Sequence, residues 1–270
     1  MRDIPQIDRI IPYILGRKVV CFCGAGLSQE SGVPTFRGHG GLWEKYDAYL
    51  YASREGIERL LKNDVCNLKE FIVDFYNILL KSRPNYAHYV LAEMEKEGIL
   101  VGIISQNIDD FSYQAGSQKV AELHGNAFIF VCWQCGRKKR VSKQEVREFL
   151  EKLERIHGDR EITEAIFSFV GRCPECDVIL RPSVVLFGEP LPDEEIEKAN
   201  RYLNEAETLI CVGTSGIVYP AAYFPYRAYD RGFTIINVNP EPTALDEVAK
   251  FKFRVTAVDF FKKLKVLMEK

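Results

Sequence analysis

Four strand-length, largely apolar runs constrain this chain more than anything else in it: Lys18 to Cys23, Ile99 to Ile104, Thr208 to Val212 and Phe233 to Val238. Runs without polar alternation suit strands buried on both faces, which belong to parallel sheets covered by helices. Helical patterns lie between them. Ala87, Val90, Leu91 and Met94 share one face, with Gly98 placed to end that helix. A second helix is expected from about Asp193 to Glu207, and a third over Val258 to Met268, packing Phe260, Leu264 and Leu267. The alternation predicts an α/β fold, a Rossmann-like doubly wound parallel sheet. With 270 residues, 47% of them hydrophobic, the chain can bury one large core and carry a smaller module.

Two segments interrupt the alternation. Residues 42–83 read as a helical module, in which Leu68, Phe71, Ile72, Phe75, Tyr76 and Leu79 recur at helical spacing. Such a stripe ordinarily packs a core; here part of it is also a candidate wall for a ligand channel. Residues 132–176 carry two Cys-x-x-Cys pairs, Cys132/Cys135 and Cys173/Cys176. Four thiolates at that spacing make a closed tetrahedral site for one structural zinc. The pairs stand further apart than the roughly 15–20 residues of a usual ribbon, and the insert contains an amphipathic stretch, Gln144 to Ile156. The expected organisation is therefore a large domain of 1–41, 84–131 and 177–270, with 42–83 and 132–176 together forming a smaller zinc-ribbon plus helical domain. The other cysteines, Cys21, Cys23, Cys66 and Cys211, read as small buried hydrophobes. Free thiols and zinc thiolates suit a reducing compartment, and scattered charges near the N-terminus break any secretory pattern, so a cytoplasmic location is expected. The basic run Arg137-Lys138-Lys139-Arg140 reads as a solvated loop. With 36 basic and 38 acidic residues the net charge is −2, which argues against a general nucleic-acid binder, and no run approaches a membrane span.

After Cys23 the chain turns through Gly24 and Gly26, where a backbone without Cβ can approach a phosphate. A helix is expected next, with Ser28 or Ser31 near its first turn. Gln29 stands where a dinucleotide fingerprint would place its third glycine, so an ordinary dehydrogenase fits less well. Two other loops follow strands: Ser105 to Asp109 and Gly213 to Ser215. Asn239 follows a fourth strand, where it can bond a ribose. Open α/β sheets bind ligands beyond the carboxyl ends of their strands, so these loops can surround one dinucleotide.

The stretch Gly24-Ala25-Gly26-x-Ser28-x-x-Ser31-Gly32-Val33-Pro34-Thr35-Phe36-Arg37-Gly38 resembles the NAD-binding signature of the sirtuins, NAD-dependent protein deacylases. Gln106-Asn107-Ile108-Asp109, His124-Gly125-Asn126, the cysteine pairs, Val185-Leu186-Phe187-Gly188-Glu189, Gly213-Thr214-Ser215 and Asn239-Pro240-Glu241 match in the same order. The resemblance is to a single catalytic core of prokaryotic type and runs from about Val19 to the C-terminus. It implies that Gly24, Ala25, Gly26, Ser28, Thr35, Phe36, Arg37, Gln106, Asn107, Asp109, Gly213, Thr214, Ser215 and Asn239 bind NAD. It identifies His124 as the catalytic base. Val185, Leu186, Phe187 and Gly188 would pair with an extended acyl-lysine protein or peptide, with Val185 and Phe187 lining the acyl tunnel. The implied reaction starts with attack of the acyl oxygen on C1′ of the nicotinamide ribose. His124 then removes a proton from a ribose hydroxyl, and the products are lysine, nicotinamide and O-acyl-ADP-ribose.

Departures from the family's pattern are informative. Asp109-Asp110-Phe111-Ser112 replaces the common Asp-x-Leu-His, and Ser183 stands where Asn is frequent. Desuccinylating members carry Tyr-x-x-Arg in the helical module; Ile72 and Phe75 fall there, with His39 where those enzymes have a small residue. Rival readings are a mono-ADP-ribosyltransferase or NAD hydrolase on the same scaffold, and a non-enzymatic zinc-ribbon module on chromatin. Nothing in the sequence speaks to oligomeric state.

Overall fold

The structure is a computed structural model that describes residues 4–34 and 42–270. Thr35, Phe36, Arg37 and His39 lie outside the described residues. The described residues form nine strands: β1 (Val19–Cys23), β2 (Leu100–Ser105), β3 (Val120–Glu122), β4 (Ile129–Val131), β5 (Lys138–Arg140), β6 (Arg181–Pro182), β7 (Thr208–Val212), β8 (Thr234–Val238) and β9 (Phe251–Phe253). The chain divides into two compact units. One comprises the described residues of Met1–Thr35, Pro84–Leu123 and Leu191–Lys270; the other, those of Phe36–Arg83 and His124–Pro190.

The first unit is built on a six-stranded parallel sheet in the order β3-β2-β1-β7-β8-β9. Every residue of β1, β2, β7 and β8 is buried, as the apolar runs require. One face packs on the helices Tyr86–Lys96 and Ala257–Met268 through Val90, Leu91, Met94, Phe260, Phe261 and Leu264. At roughly 1.5–3 kcal/mol per large buried apolar side chain, this face is a principal source of the unit's stability. Asn85 starts the first of these helices, its side chain accepting from the backbone of Ala87 while His88 caps in return. The strand order reverses direction between β1 and β7, the switch point where such sheets bind ligands.

The second unit holds a three-stranded antiparallel sheet, β5-β4-β6, and the helices Arg54–Asn63, Val65–Lys81, Lys143–Arg155 and Asp159–Val170. The apolar stretch Ala127 to Val131 contributes its strand, β4, here and not to the large sheet. Because β4 pairs with both β5 and β6, residues 124–131 and 177–190 cluster with this unit and not with the large domain in which the sequence reading placed them. Phe149 stacks on Phe169 at 4.0 Å and Phe130 meets the same ring edge-on, joining the zinc-module insert to β4. Cys66 is exposed, not buried, because it faces outward on the first turn of its helix, where its thiol contacts Asp159.

Candidate active site

In the first unit the loops at the switch point interlock through backbone. Gly24 N–H donates to Val212 O, and Gly26 N–H to Gly213 O at 2.9 Å. A Cβ on Gly26 would stand 2.6 Å from Gly213 Cα, and one on Gly213 would stand 2.4 Å from the Gly26 carbonyl carbon. Gly213 also has φ +59°, a left-handed conformation that favours glycine. The two glycines are therefore required by each other. The helix expected after Gly26 is instead two short 3₁₀ turns, Ala25–Leu27 and Gln29–Ser31, ended by Gly32 at φ 90°. Ser28 sits between them, buried, and its hydroxyl is the hub of a side-chain network.

Ser28 Oγ donates to Asp109 Oδ2 at 2.6 Å and accepts from Asn107 Nδ2 at 3.2 Å; the His88 ring Nε2 lies 3.4 Å away. Asn107 also donates to Gly24 O. His88 Nδ1 accepts from Asn85 N–H, which leaves Nε2–H to face Ser28 in the neutral ring. Burial pushes His88 down to about 4 and keeps that ring neutral. Burial likewise raises the Asp109 carboxyl, opposed by the bonds from Ser28 and the Phe111 N–H. Phe111, where the family pattern has Leu, meets the His88 ring edge-on at 5.7 Å and is fully buried. Gln106 Nε2 bonds Thr214 Oγ1 and Cys23 O; Asn239 Nδ2 bonds Thr214 O. Ser215 is exposed beyond them, its carbonyl accepting from Ala244. The Ser31 hydroxyl oxygen is buried with no partner among the described residues. Thus Gly24, Ala25, Gly26, Ser28, Gln106, Asn107, Asp109, Gly213, Thr214, Ser215 and Asn239 all lie at the carboxyl ends of β1, β2, β7 and β8. A cradle of interlocked backbone, amides and hydroxyls with an unsatisfied buried hydroxyl fits an extended dinucleotide.

His88 escaped the sequence reading. Its signal was Asn85-x-x-His88 at a helix start, which reads as capping and says nothing of what the far ring nitrogen touches.

In the second unit, His124 and Asn126 are joined rung by rung to the segment after β6. Val185 N–H donates to His124 O at 2.9 Å, and Ser183 Oγ both accepts from Asn126 N and donates to Asn126 O. Gly125 has φ +74°, and a Cβ there would lie 2.0 Å from Ser183 O. Val185 and Leu186 are half-buried, Phe187 and Gly188 exposed. Phe187 N–H donates to Ala52 O, and Ser53 bridges Phe187 in parallel. Ile72 and Phe75 are half-buried on the helix Val65–Lys81. Phe75 belongs to a ladder of rings running Tyr46–Phe71–Phe75–Tyr76–Phe128, with centroid spacings of 5.0, 5.9, 5.3 and 6.2 Å.

The four cysteine sulfurs lie within 4.8 Å of one another, and Sγ of Cys135 and Cys173 are 3.7 Å apart. A tetrahedral zinc–thiolate centre with bonds of about 2.3 Å has edges of about 3.8 Å, so the cluster fits zinc. The two pairs are built alike. Gly136 N–H donates to Cys132 O and Asp177 N–H to Cys173 O, both at 2.9 Å; Gly136 and Asp177 occupy the same turn position at φ 73° and 51°. No other group of three or more such ligands occurs among the described residues.

Fold and site together define a Rossmann-type dinucleotide enzyme with a zinc-bearing accessory unit. The Sir2 family matches residues 24–220, and the chain belongs to that family. It is similar to the NAD-dependent protein deacylases of Pyrococcus abyssi, 41% identical over 93% of this chain and 92% of that one, and Pyrococcus furiosus, 41% identical over 91% and 90%. Among solved structures it resembles a Sir2 homologue–NAD complex (TM-score 0.78, 31% identity, 97% and 94% covered) and a Sir2–p53 peptide–NAD⁺ complex (TM-score 0.72, 30% identity, 96% of each).

Proposed function

We propose that this chain is an NAD-dependent protein-lysine deacylase acting on acylated lysine in an extended protein or peptide segment. The overall reaction takes acyl-lysine, NAD and water to lysine, nicotinamide and O-acyl-ADP-ribose. NAD, when bound, supplies the electrophilic ribose carbon and the hydroxyl that accepts the acyl group. The observation that carries the reading is the backbone bonding of His124–Asn126 to Ser183–Val185, which ties a candidate base to a candidate substrate strand. His124 accepts the ribose hydroxyl proton, a role that an imidazole nitrogen can fill as a general base. Gly24–Ser28, Gln106, Asn107, Asp109, Gly213–Ser215 and Asn239 hold NAD, joined by Thr35, Phe36 and Arg37. Ser28 and Asn107 keep the buried Asp109 carboxylate oriented. Val185–Gly188 present backbone to the substrate. Cys132, Cys135, Cys173 and Cys176 hold a structural zinc, which supplies folding energy and no open coordination position.

Ile72 and Phe75 favour uncharged acyl groups. A succinyl carboxylate beside them would lose water without gaining a cation, whereas each added CH₂ of a longer chain gains about 0.8 kcal/mol on burial. The free thiols support a reducing, cytoplasmic setting. Among the described residues no helix is long and apolar enough to cross a membrane, and the balanced charge gives no reason to expect a nucleic-acid partner.

One experiment tests the reading. The enzyme is incubated with NAD and a single peptide carrying acetyl-, myristoyl- or succinyl-lysine, and products are followed by mass spectrometry. O-acyl-ADP-ribose is expected from the first two at about tenfold or more higher kcat/KM than from the third. His124→Ala should lower turnover about 10²–10⁴-fold with NAD binding retained. Nicotinamide release that ignores the acyl group would mean NAD hydrolysis instead, and a succinyl preference would overturn the roles of Ile72 and Phe75.

A further inference from the structure

The segment Val184–Gly188, read above as the substrate strand, has to keep one backbone shape, yet the strand before it, β6, is only two residues long. A regular sheet does not hold it. Its ends are instead closed by a pair of side chains eight residues apart. Arg181 Nη1 donates to Glu189 Oε1 at 2.5 Å and Nη2 to Glu189 Oε2 at 2.6 Å. The same guanidinium reaches Val184 O at 3.1 Å and, through Nε, Pro182 O at 3.2 Å. Glu189 Oε2 also accepts from Leu186 N–H at 3.0 Å, and Glu189 N–H donates to Leu186 O. Gly188 makes the reversal that brings Glu189 back, at φ 87°; a Cβ there would meet nothing within 4 Å, so the conformation and not space requires glycine. The pair is only partly exposed, 36% and 19% by side chain. Burial works against the Glu189 charge, but Arg181 and the Leu186 N–H outweigh it and hold the carboxyl below its usual range.

We propose that Arg181 and Glu189 are positioning residues for the substrate backbone. Together they form a bidentate clip that fixes the backbone shape of Val184–Gly188 for the residues flanking an acyl-lysine. The inference rests on the deacylase reading given above and goes beyond it by naming what holds the substrate strand. A fork-to-fork guanidinium–carboxylate pair fixes orientation as well as charge. Without it the segment must be ordered each time a peptide binds, which weakens peptide binding and leaves NAD binding alone.

The test measures KM and kcat for three ligands: an acetyl-lysine peptide with several residues on each side, an isolated acetyl-lysine amide, and NAD. Zinc content and melting temperature report folding. Arg181→Met is expected to raise KM for the flanked peptide about tenfold or more, with KM for the isolated amide and for NAD within twofold. Arg181→Lys keeps the charge but not the fork and should recover only part of the loss. In Arg181→Glu with Glu189→Arg the charges still pair, but the exchanged groups cannot bond Val184 O and Leu186 N–H, so no recovery is expected. Should Arg181→Met fail to retain zinc, Glu189→Gln decides, with an expected rise in peptide KM of about threefold or more. Unchanged peptide KM, equal rises for peptide and amide, or full recovery by the exchanged pair would each overturn the clip. Turnover by the unmodified enzyme in the same assay separates these outcomes from a failure of the deacylase reading itself.

Discussion

The two units hold their candidate site residues by opposite means. In the first, loops leave the ends of fully buried parallel strands and lock against each other through Gly24, Gly26 and Gly213. Nothing outside the polypeptide is needed to set that geometry. In the second, strands are two or three residues long, and position comes from a cysteine cluster, a ladder of aromatic rings and the Arg181–Glu189 pair. A frame of the first kind suits a ligand that never varies. The second kind is assembled from separable contacts between short elements, so each contact can be removed on its own.

The largest break in this comparison comes from metal. Structural zinc at four cysteines contributes an apparent 10–16 kcal/mol or so to the folding of small modules. Removing it is expected to unfold the second unit while the first persists. Metal analysis should find one zinc per chain. After chelation, hydrogen exchange should lose protection across 129–182 but retain it in β1, β2, β7 and β8. Equal loss in both units would show that the first does not stand on its own.

The same contrast governed what the sequence disclosed. β1, β2, β7 and β8 were legible because a strand buried on both faces must be apolar throughout. β5, Lys-Lys-Arg and wholly exposed, carries no such mark, and β6 is too short to carry one. Residues 124–131 look like sheet core by hydrophobicity; their pairing with β5 and β6 is a long-range choice that local pattern does not encode. The cysteine spacing announced itself because metal geometry demands it. The Ser28–His88 contact joins residues 60 apart, and the Arg181–Glu189 clip needs a reversal at Gly188. Neither has a periodicity that could betray it.

A smaller effect sharpens the comparison from the first unit's side. Its polar network includes a neutral, buried His88 with pKa about 4. In the unfolded chain the same ring titrates near 6.5. Between those values the unfolded state binds the extra proton, so stability is full above about pH 6.5 and falls as pH drops toward 4. The loss over that window should be about 3 kcal/mol. His88→Gln should flatten it, read as urea midpoints of the first unit's transition at pH 7 and pH 4.5. An unchanged acid slope in the variant would assign the loss to other groups.

The smallest effect isolates backbone strain from collision. Gly125 and Gly136 have nearly the same left-handed backbone, φ 74° and 73°. Their surroundings differ completely. A Cβ on Gly125 would press into Ser183 O at 2.0 Å and its carbonyl carbon at 2.6 Å, whereas one on Gly136 would meet nothing within 4 Å. Gly136→Ala should therefore cost only the left-handed penalty, about 1 kcal/mol, with zinc content unchanged. Asp177 at the matching position of the second cysteine pair shows that a side chain is accepted in that turn. Gly125→Ala adds a clash between two backbones that are hydrogen-bonded on either side, so it should cost about 3 kcal/mol or more and displace the His124 rung from Val185. Denaturant midpoints for the two alanine variants, measured on zinc-loaded protein, give the difference directly. Equal midpoints would mean that Ser183 yields freely, and the coupling between His124 and the substrate strand would then be too soft to position either.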